Sequence, residues 1–300
     1  MTINIPTLGY YRSDYDKMFR ILRDVNQWEG LDNVAFDFSQ CRFLAHNAVA
    51  FLGGLARLLE DRGCRVAFAW HTLNKKILNN LERNRFLSAF SSSDVGQVGN
   101  AIPYREERSK DKNFLMDYLK VLWLGRGWVH VSQELSNAIV GRVWEIYENA
   151  FEHSHTPVGI FCCGQHYPKS AKLDLTVVDF GVGIPYNVRN LLSKLKISTN
   201  IPDSIALELA FRDGISTKPS GTGRGLGLGL LKEFVSVAKG KLEIFSNEAY
   251  SLIQGGKEIY SRGQVPFEGT LINISLHCDE KLYYCFIHEM TDNLPVQKGE

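Results

Sequence analysis

Apolar residues recur along this chain with two periods, and the switches between them mark out its elements. Between residues 14 and 28, Met18, Phe19, Ile21, Leu22 and Val25 fall on one side of a 3.6-residue helix. Val34-Ala35-Phe36-Asp37-Phe38 is a short strand, 48–62 a second helix closed by Gly63, 65–70 another strand and 75–87 another helix. Strands alternating with helices predict an α/β sheet layered with helices. The pattern lapses between 91 and 112, where Ser91-Ser92-Ser93-Asp94, Pro103 and a charge-dense run from Arg105 to Lys112 place a domain boundary at 104/105.

Beyond that boundary, 114–124 and 133–153 read as helices on either side of Gly125-Arg126-Gly127, the second opened by Ser132 as its N-cap. Residues 172–178 alternate and then run apolar through Leu173, Leu175, Val177 and Val178, as a buried strand ending on Asp179 does. Residues 230–238 form a helix with Leu231, Phe234, Val235 and Ala238 on one face. A strand at 242–245, a hairpin over 250–260 around Gly255-Gly256 and an apolar strand at 271–276 follow. Residues 281–300 are left as a C-terminal tail, expected to be disordered from Asn293 onward.

A length of 300 residues suggests two domains, each able to bury a core. A formal charge of +1 provides no basic field for nucleic acid. No window approaches the roughly 18 uninterrupted apolar residues of a membrane span, and Met1 to Tyr10 lacks the basic and apolar regions of a secretion signal. The six cysteines show no Cys-x-x-Cys spacing. Cys162 and Cys163, as strand neighbours, point to opposite faces. The expectation is a cytoplasmic protein with reduced core thiols, no membrane segment and no nucleic-acid partner.

Three stretches carry candidate chemistry. On the helix 133–153, four residues overshoot one turn by about 40°, so Glu145, Asn149 and His153 form a drifting polar row beside the apolar stripe Val143, Ile146 and Ala150. A carboxylate there orients a water, and a carboxamide one turn later completes the shell of a magnesium ion. A solvated helix face is the alternative. Asp179 closes a buried strand, where a carboxylate is costly unless paired; the exocyclic amino group of adenine would pair it. Gly181 and Gly183 permit positive φ and close approach to a flat ring, although a strand-to-helix turn with a capping Asp reads equally well. From Gly221 to Gly229 every second residue is glycine and a helix follows, an arrangement that makes an anion site, with a flexible glycine linker as the alternative. The Gly-Lys-Ser/Thr of a Walker loop is absent, and no strand leads directly into these glycines as a dinucleotide fingerprint requires.

Glu-x-x-x-Asn at 145–149, Asp-x-Gly-x-Gly-Ile at 179–184 and Gly-Thr-Gly-x-Gly-Leu-Gly-Leu at 221–228 together resemble the gyrase, Hsp90, histidine kinase and MutL ATP-binding superfamily, the Bergerat fold, over residues 133–276. The resemblance implies a two-layer α/β domain with a mixed, largely antiparallel sheet over 105–280, and ATP and Mg²⁺ as ligands. It implies Glu145 as water-orienting base, Asn149 as Mg²⁺ ligand, and His153 near phosphate. Asp179 would hold the adenine amino group with help from Thr270, while Gly181 and Gly183 shape the base pocket. Lys218 would reach a phosphate, and Gly221, Gly223, Arg224, Gly225, Leu226 and Gly227 would wrap the triphosphate.

Over residues 1–104, Phe36-Asp37-Phe38-Ser39 followed by 43–51 resembles a STAS domain, the α/β sandwich of anti-anti-sigma factors. Ala45-His46-Asn47 stands where phosphorylated members carry a serine, so the acceptor hydroxyl is missing. His46 is read as a polar surface residue, Ser39 as a turn residue, and the domain as a docking or self-association surface. The function expected is a slow ATPase acting as a nucleotide-driven switch, its lid at 193–223 changing order with the nucleotide. A serine/threonine kinase of the anti-sigma type, acting on a partner protein, and a nucleotide-gated interaction module without turnover are the alternatives.

Overall fold

A computed structural model describes residues 1–28, 30, 32–91, 98–212 and 228–291. The N-terminal third contains β1 (Thr2–Asn4), α1 (Arg12–Asn26), β2 (Asn33–Asp37), α2 (His46–Asp61), β3 (Arg65–Phe68), α3 (Lys75–Arg83) and α4 (Phe86–Phe90). Next come β4 (Ala101–Glu107), α5 (Lys112–Asp117), β5 (His130–Val131), α6 (Gln133–His153), β6 (Ile160–Tyr167) and β7 (Lys172–Asp179). The chain continues through α7 (Ile184–Lys194), α8 (Asp203–Leu209), α9 (Leu228–Val237), β8 (Lys241–Gln254), β9 (Lys257–His277), β10 (Tyr283–Tyr284) and α10 (Ile287–Thr291).

The protein is a mixed α/β structure. β1, β2 and β3 form a parallel sheet in that order, joined by the helical crossovers that parallel pairing demands. β4, β6, β7, β9 and β8 form a five-stranded sheet in which every neighbouring pair is antiparallel. The expected boundary at 104/105 falls inside β4, which pairs with β6 as an edge strand of that sheet.

Each central strand is buried on both sides because each face is covered. Leu173, Leu175 and Val177 of β7, Leu242 and Ile244 of β8, and Ile272 and Ile274 of β9 join Ile139, Val140 and Val143 of α6 and Leu231 and Val235 of α9 in one core. The intervening Val178, Phe245 and Leu271 belong to a second core with Tyr15, Met18 and Phe19 of α1 and Phe51 and Leu55 of α2. Cys162 lies in the first core and Cys163 in the second, as period-2 alternation requires. Ring contacts knit the second core: Phe19 stacks on Phe267 with centroids 4.7 Å apart, and Tyr15 on Phe245 at 4.5 Å.

Several sequence expectations are corrected. The helix expected over 75–87 is broken by Arg85, whose φ of +64° is left-handed, into α3 and α4. The helix expected over 114–124 holds α-geometry only through α5 and then widens into a π turn over Tyr118–Trp123. Within 281–300, β10 pairs with β5, and Glu289 of α10 accepts a hydrogen bond from the Ser132 hydroxyl at 2.7 Å; residues 292–300 lie outside the described residues. His46 is 2% exposed instead of on the surface. Its ring nitrogens lie 3.1 Å from the Tyr167 hydroxyl and 3.1 Å from Asn273 Oδ1, so the start of α2 is spent on a contact within the chain.

Gly54 marks how closely α2 approaches the sheet. A Cβ there would overlap the ring of Phe180 and lie 2.7 Å from Phe161 Cδ2. In mid-helix, glycine to alanine ordinarily stabilises by up to about 1 kcal/mol. Overpacking at this contact, costing about 1–3 kcal/mol, outweighs it. Gly54→Ala is therefore expected to lower the urea midpoint, and a raised midpoint would show that the rings yield.

Candidate functional site

On the α6 side of the sheet, the last turns of α6, the end of β7, the turn into α7 and the start of the apolar part of β9 enclose a cleft. It holds about 630 Å³ of atom-free space, part of it open to solvent. α6 contributes Ile146, Asn149, Ala150 and His153, β7 contributes Val177 and Asp179, the turn contributes Gly183 and Ile184, α7 adds Asn187, and β9 adds Thr270 and Ile272. α6 reaches this position because Ser132 caps it, its hydroxyl accepting from the Leu135 N–H at 3.1 Å, and because its apolar stripe is buried on the sheet.

Asp179 is the chemical centre. It is 5% exposed, and Oδ1 accepts the Gly181 N–H at 2.9 Å. Pairing of β7 with β9 sets Thr270 directly opposite, where it also hydrogen-bonds the carboxylate. Burial pushes the carboxyl up to about 7, with these hydrogen bonds opposing the rise. Ile146, Ala150, Val177, Ile184 and Ile272 supply the apolar part of the lining, so the cleft sets a buried carboxylate beside apolar surface. A flat apolar ring carrying an N–H donor matches that surface.

The turn after Asp179 is held from three sides. The Val182 N–H donates to the Ser154 carbonyl at 2.7 Å, Asn247 Nδ2 donates to the Val182 carbonyl at 3.1 Å, and Asn187 Nδ2 donates to the Gly183 carbonyl at 3.1 Å. Ser246 Oγ accepts the Ile184 N–H at 2.8 Å and donates to the Gly269 carbonyl at 2.8 Å. Gly183, at φ +82°, has the positive φ expected of it. Gly181 does not; a side chain is excluded there because its Cβ would collide with the Ser154 carbonyl.

Of the residues singled out in the sequence, the cleft gathers Asn149, His153, Asp179, Gly183 and Thr270, with Gly181 bound to its carboxylate. Glu145 stands apart from its lining, its Oε1 paired with Arg142 Nη1 at 2.6 Å. Lys218, Gly221, Gly223, Arg224, Gly225, Leu226 and Gly227 lie outside the described residues, as does most of the expected lid beyond α8. Ser154, Asn187, Ser246 and Asn247 were not foreseen. Among the described residues no group of three His, Cys, Asp or Glu side chains is placed to hold a metal, and the Asn149 carboxamide makes no hydrogen bond to a described residue. No family model matches the chain, and no curated protein matches it.

The raised pKa of Asp179 makes a signed prediction. The folded protein holds this proton more tightly than the unfolded chain, in which aspartate titrates near 4. Stability from this group is therefore greatest below about 4, falls as pH rises to about 7, and is level above that. Asp179→Asn is expected to remove this dependence, gaining on the order of 2–4 kcal/mol relative to the parent at pH 8 over pH 4. Urea titrations at both pH values check it, and parallel pH profiles would refute it.

Proposed function

We propose that the cleft binds the adenine of ATP and that the protein is a nucleotide-driven conformational switch with slow hydrolysis. The observation that carries this reading is the buried Asp179 carboxylate, flanked by Thr270 and set beside the apolar part of the cleft lining. The adenine amino group would donate to Asp179, and the ring would lie against Ile146, Ala150 and Ile272. Asn149 and His153 line the same α6 wall of the cleft.

Asn149 fits a magnesium ligand, because its carboxamide borders the cleft and makes no hydrogen bond to a described residue. Its single oxygen would be the chain's contribution, with phosphate and water oxygens supplying the remainder. Bound Mg²⁺ would neutralise phosphate charge. Glu145 sits one turn before Asn149 and would orient the attacking water, but its pairing to Arg142 restrains the carboxylate.

The motif order, the antiparallel sheet and the helices α6 and α9 on one face support membership of the Bergerat-fold superfamily. The parallel β1–β3 sheet with α1 and α2 supports the STAS-like reading of the N-terminal part. Among the described residues no helix is long and apolar enough to cross a membrane.

Calorimetric titration with ATP, with and without Mg²⁺, tests the assignment. Asn149→Ala is expected to weaken Mg²⁺-dependent binding by about tenfold or more without loss of fold; an unchanged affinity would sink the site. Glu145→Gln is expected to keep binding and to lower phosphate release on the order of a hundredfold. Label transferred to a partner protein would move the reading to a kinase, and binding without release or transfer to a gated module.

A further inference from the structure

A second concavity lies between α3, the segment Arg42 to Leu44 and the end of β6, and holds about 1000 Å³ of atom-free space. α3 lines it with Lys76, Asn79, Asn80 and Arg83. Their i, i+3, i+4, i+7 spacing keeps one helix face together. A stripe with that spacing is ordinarily apolar, and here the adjoining Ile77 and Leu81 supply the burial while the stripe itself supplies hydrogen-bond donors.

Charge is the second observation. Arg42, Lys76 and Arg83 line the groove and no carboxylate does. None of the three forms an ion pair with a described residue, whereas other cations of this chain are matched, Arg57 to Glu60 and Glu106, and Lys110 to Glu148 and Glu152. Gathering like charges around a concave wall concentrates positive potential there and favours an anion. Two guanidinium forks, an ammonium and carboxamide N–H groups are donors of the kind that phosphate oxygens accept from. At the rim, Phe43 is 41% exposed and stands edge-on to Tyr10, leaving ring surface for a planar group attached to that phosphate.

We propose that the groove formed by Arg42, Lys76, Asn79, Asn80 and Arg83 is a binding site for a small phosphate-bearing ligand, separate from the Asp179 cleft. Its inner wall is Tyr167, whose hydroxyl meets His46, and His46 in turn meets Asn273 of β9. Thr176 of β7 donates to the same Asn273 oxygen at 2.6 Å. Through Tyr167 and His46 the groove is therefore linked to the two strands that carry Asp179 and Thr270.

Inorganic pyrophosphate, titrated calorimetrically into the full chain in EDTA at fixed ionic strength, is the probe. Lys76 and Arg83 are exposed, so Lys76→Gln combined with Arg83→Gln leaves the core untouched. That double variant is expected to lose affinity about tenfold or more, and Asn149→Ala to retain it. Absence of binding by the parent chain, unchanged affinity in the double variant, or equally effective competition by sulfate would overturn the proposal. Because the probe carries no adenine and Asn149→Ala is read alongside it, failure here is distinguishable from failure of the nucleotide assignment.

Discussion

Consecutive residues of a strand face opposite ways, and at the end of β7 this constraint divides the molecule's labour. Val177 and Asp179 point toward α6, where they form part of the cleft, whereas Val178 points toward α1 and α2. Phe180, just past the strand, continues the alternation and places its ring in the N-terminal core, 5.6 Å from Phe51 and 5.7 Å from Phe267. A shift of one residue in the pairing of β7 with β9 would bury the carboxylate among phenylalanines and turn Phe180 into the cleft. The full ladder from Lys172↔His277 to Asp179↔Thr270 prevents that slip.

The polar groups on the N-terminal face of the sheet reinforce the same register. Thr176 donates to Asn273, and Asn273 meets His46, a contact that forms only when α2 sits at one position along the strands. Burial lowers the tendency of His46 to take up a proton, so the ring serves as a neutral link between two hydrogen-bonding partners. An aromatic core alone tolerates sliding; a buried polar link within it does not.

What was legible in the sequence is what local chemistry decides. The span of α6 follows from Ser132 at one end and a sustained period of 3.6 along it, and the observed helix is Gln133–His153. The Gly255-Gly256 turn was readable because both residues adopt positive φ, as a tight hairpin requires. β4 was hidden by Pro103 and its charged end, and of β6 only the Cys162-Cys163 pair read as strand, because its short apolar run, buried on both faces, shows no alternation. His46 was misplaced because its partners are 121 and 227 residues away in sequence, a distance no local pattern spans. Within the cleft, glycines and the strand-end aspartate stood out, but Ser154, Ser246 and Asn247 act through bonds across elements and leave no spacing to read, while Asn187 bonds the Gly183 carbonyl four residues back.

The aromatic face of the five-stranded sheet has a bearing on modularity. Phe161, Phe180, Phe245 and Phe267 are covered by α1 and α2, which belong to the first 61 residues of the chain. A segment beginning at β4 would carry the whole cleft yet present that aromatic surface to water, inviting association with any apolar neighbour. The N-terminal layer is thus no interchangeable attachment. A homologue that swapped it for a different module would have to supply a replacement cover, with a small residue where Gly54 meets Phe180 and a polar partner where His46 meets Asn273.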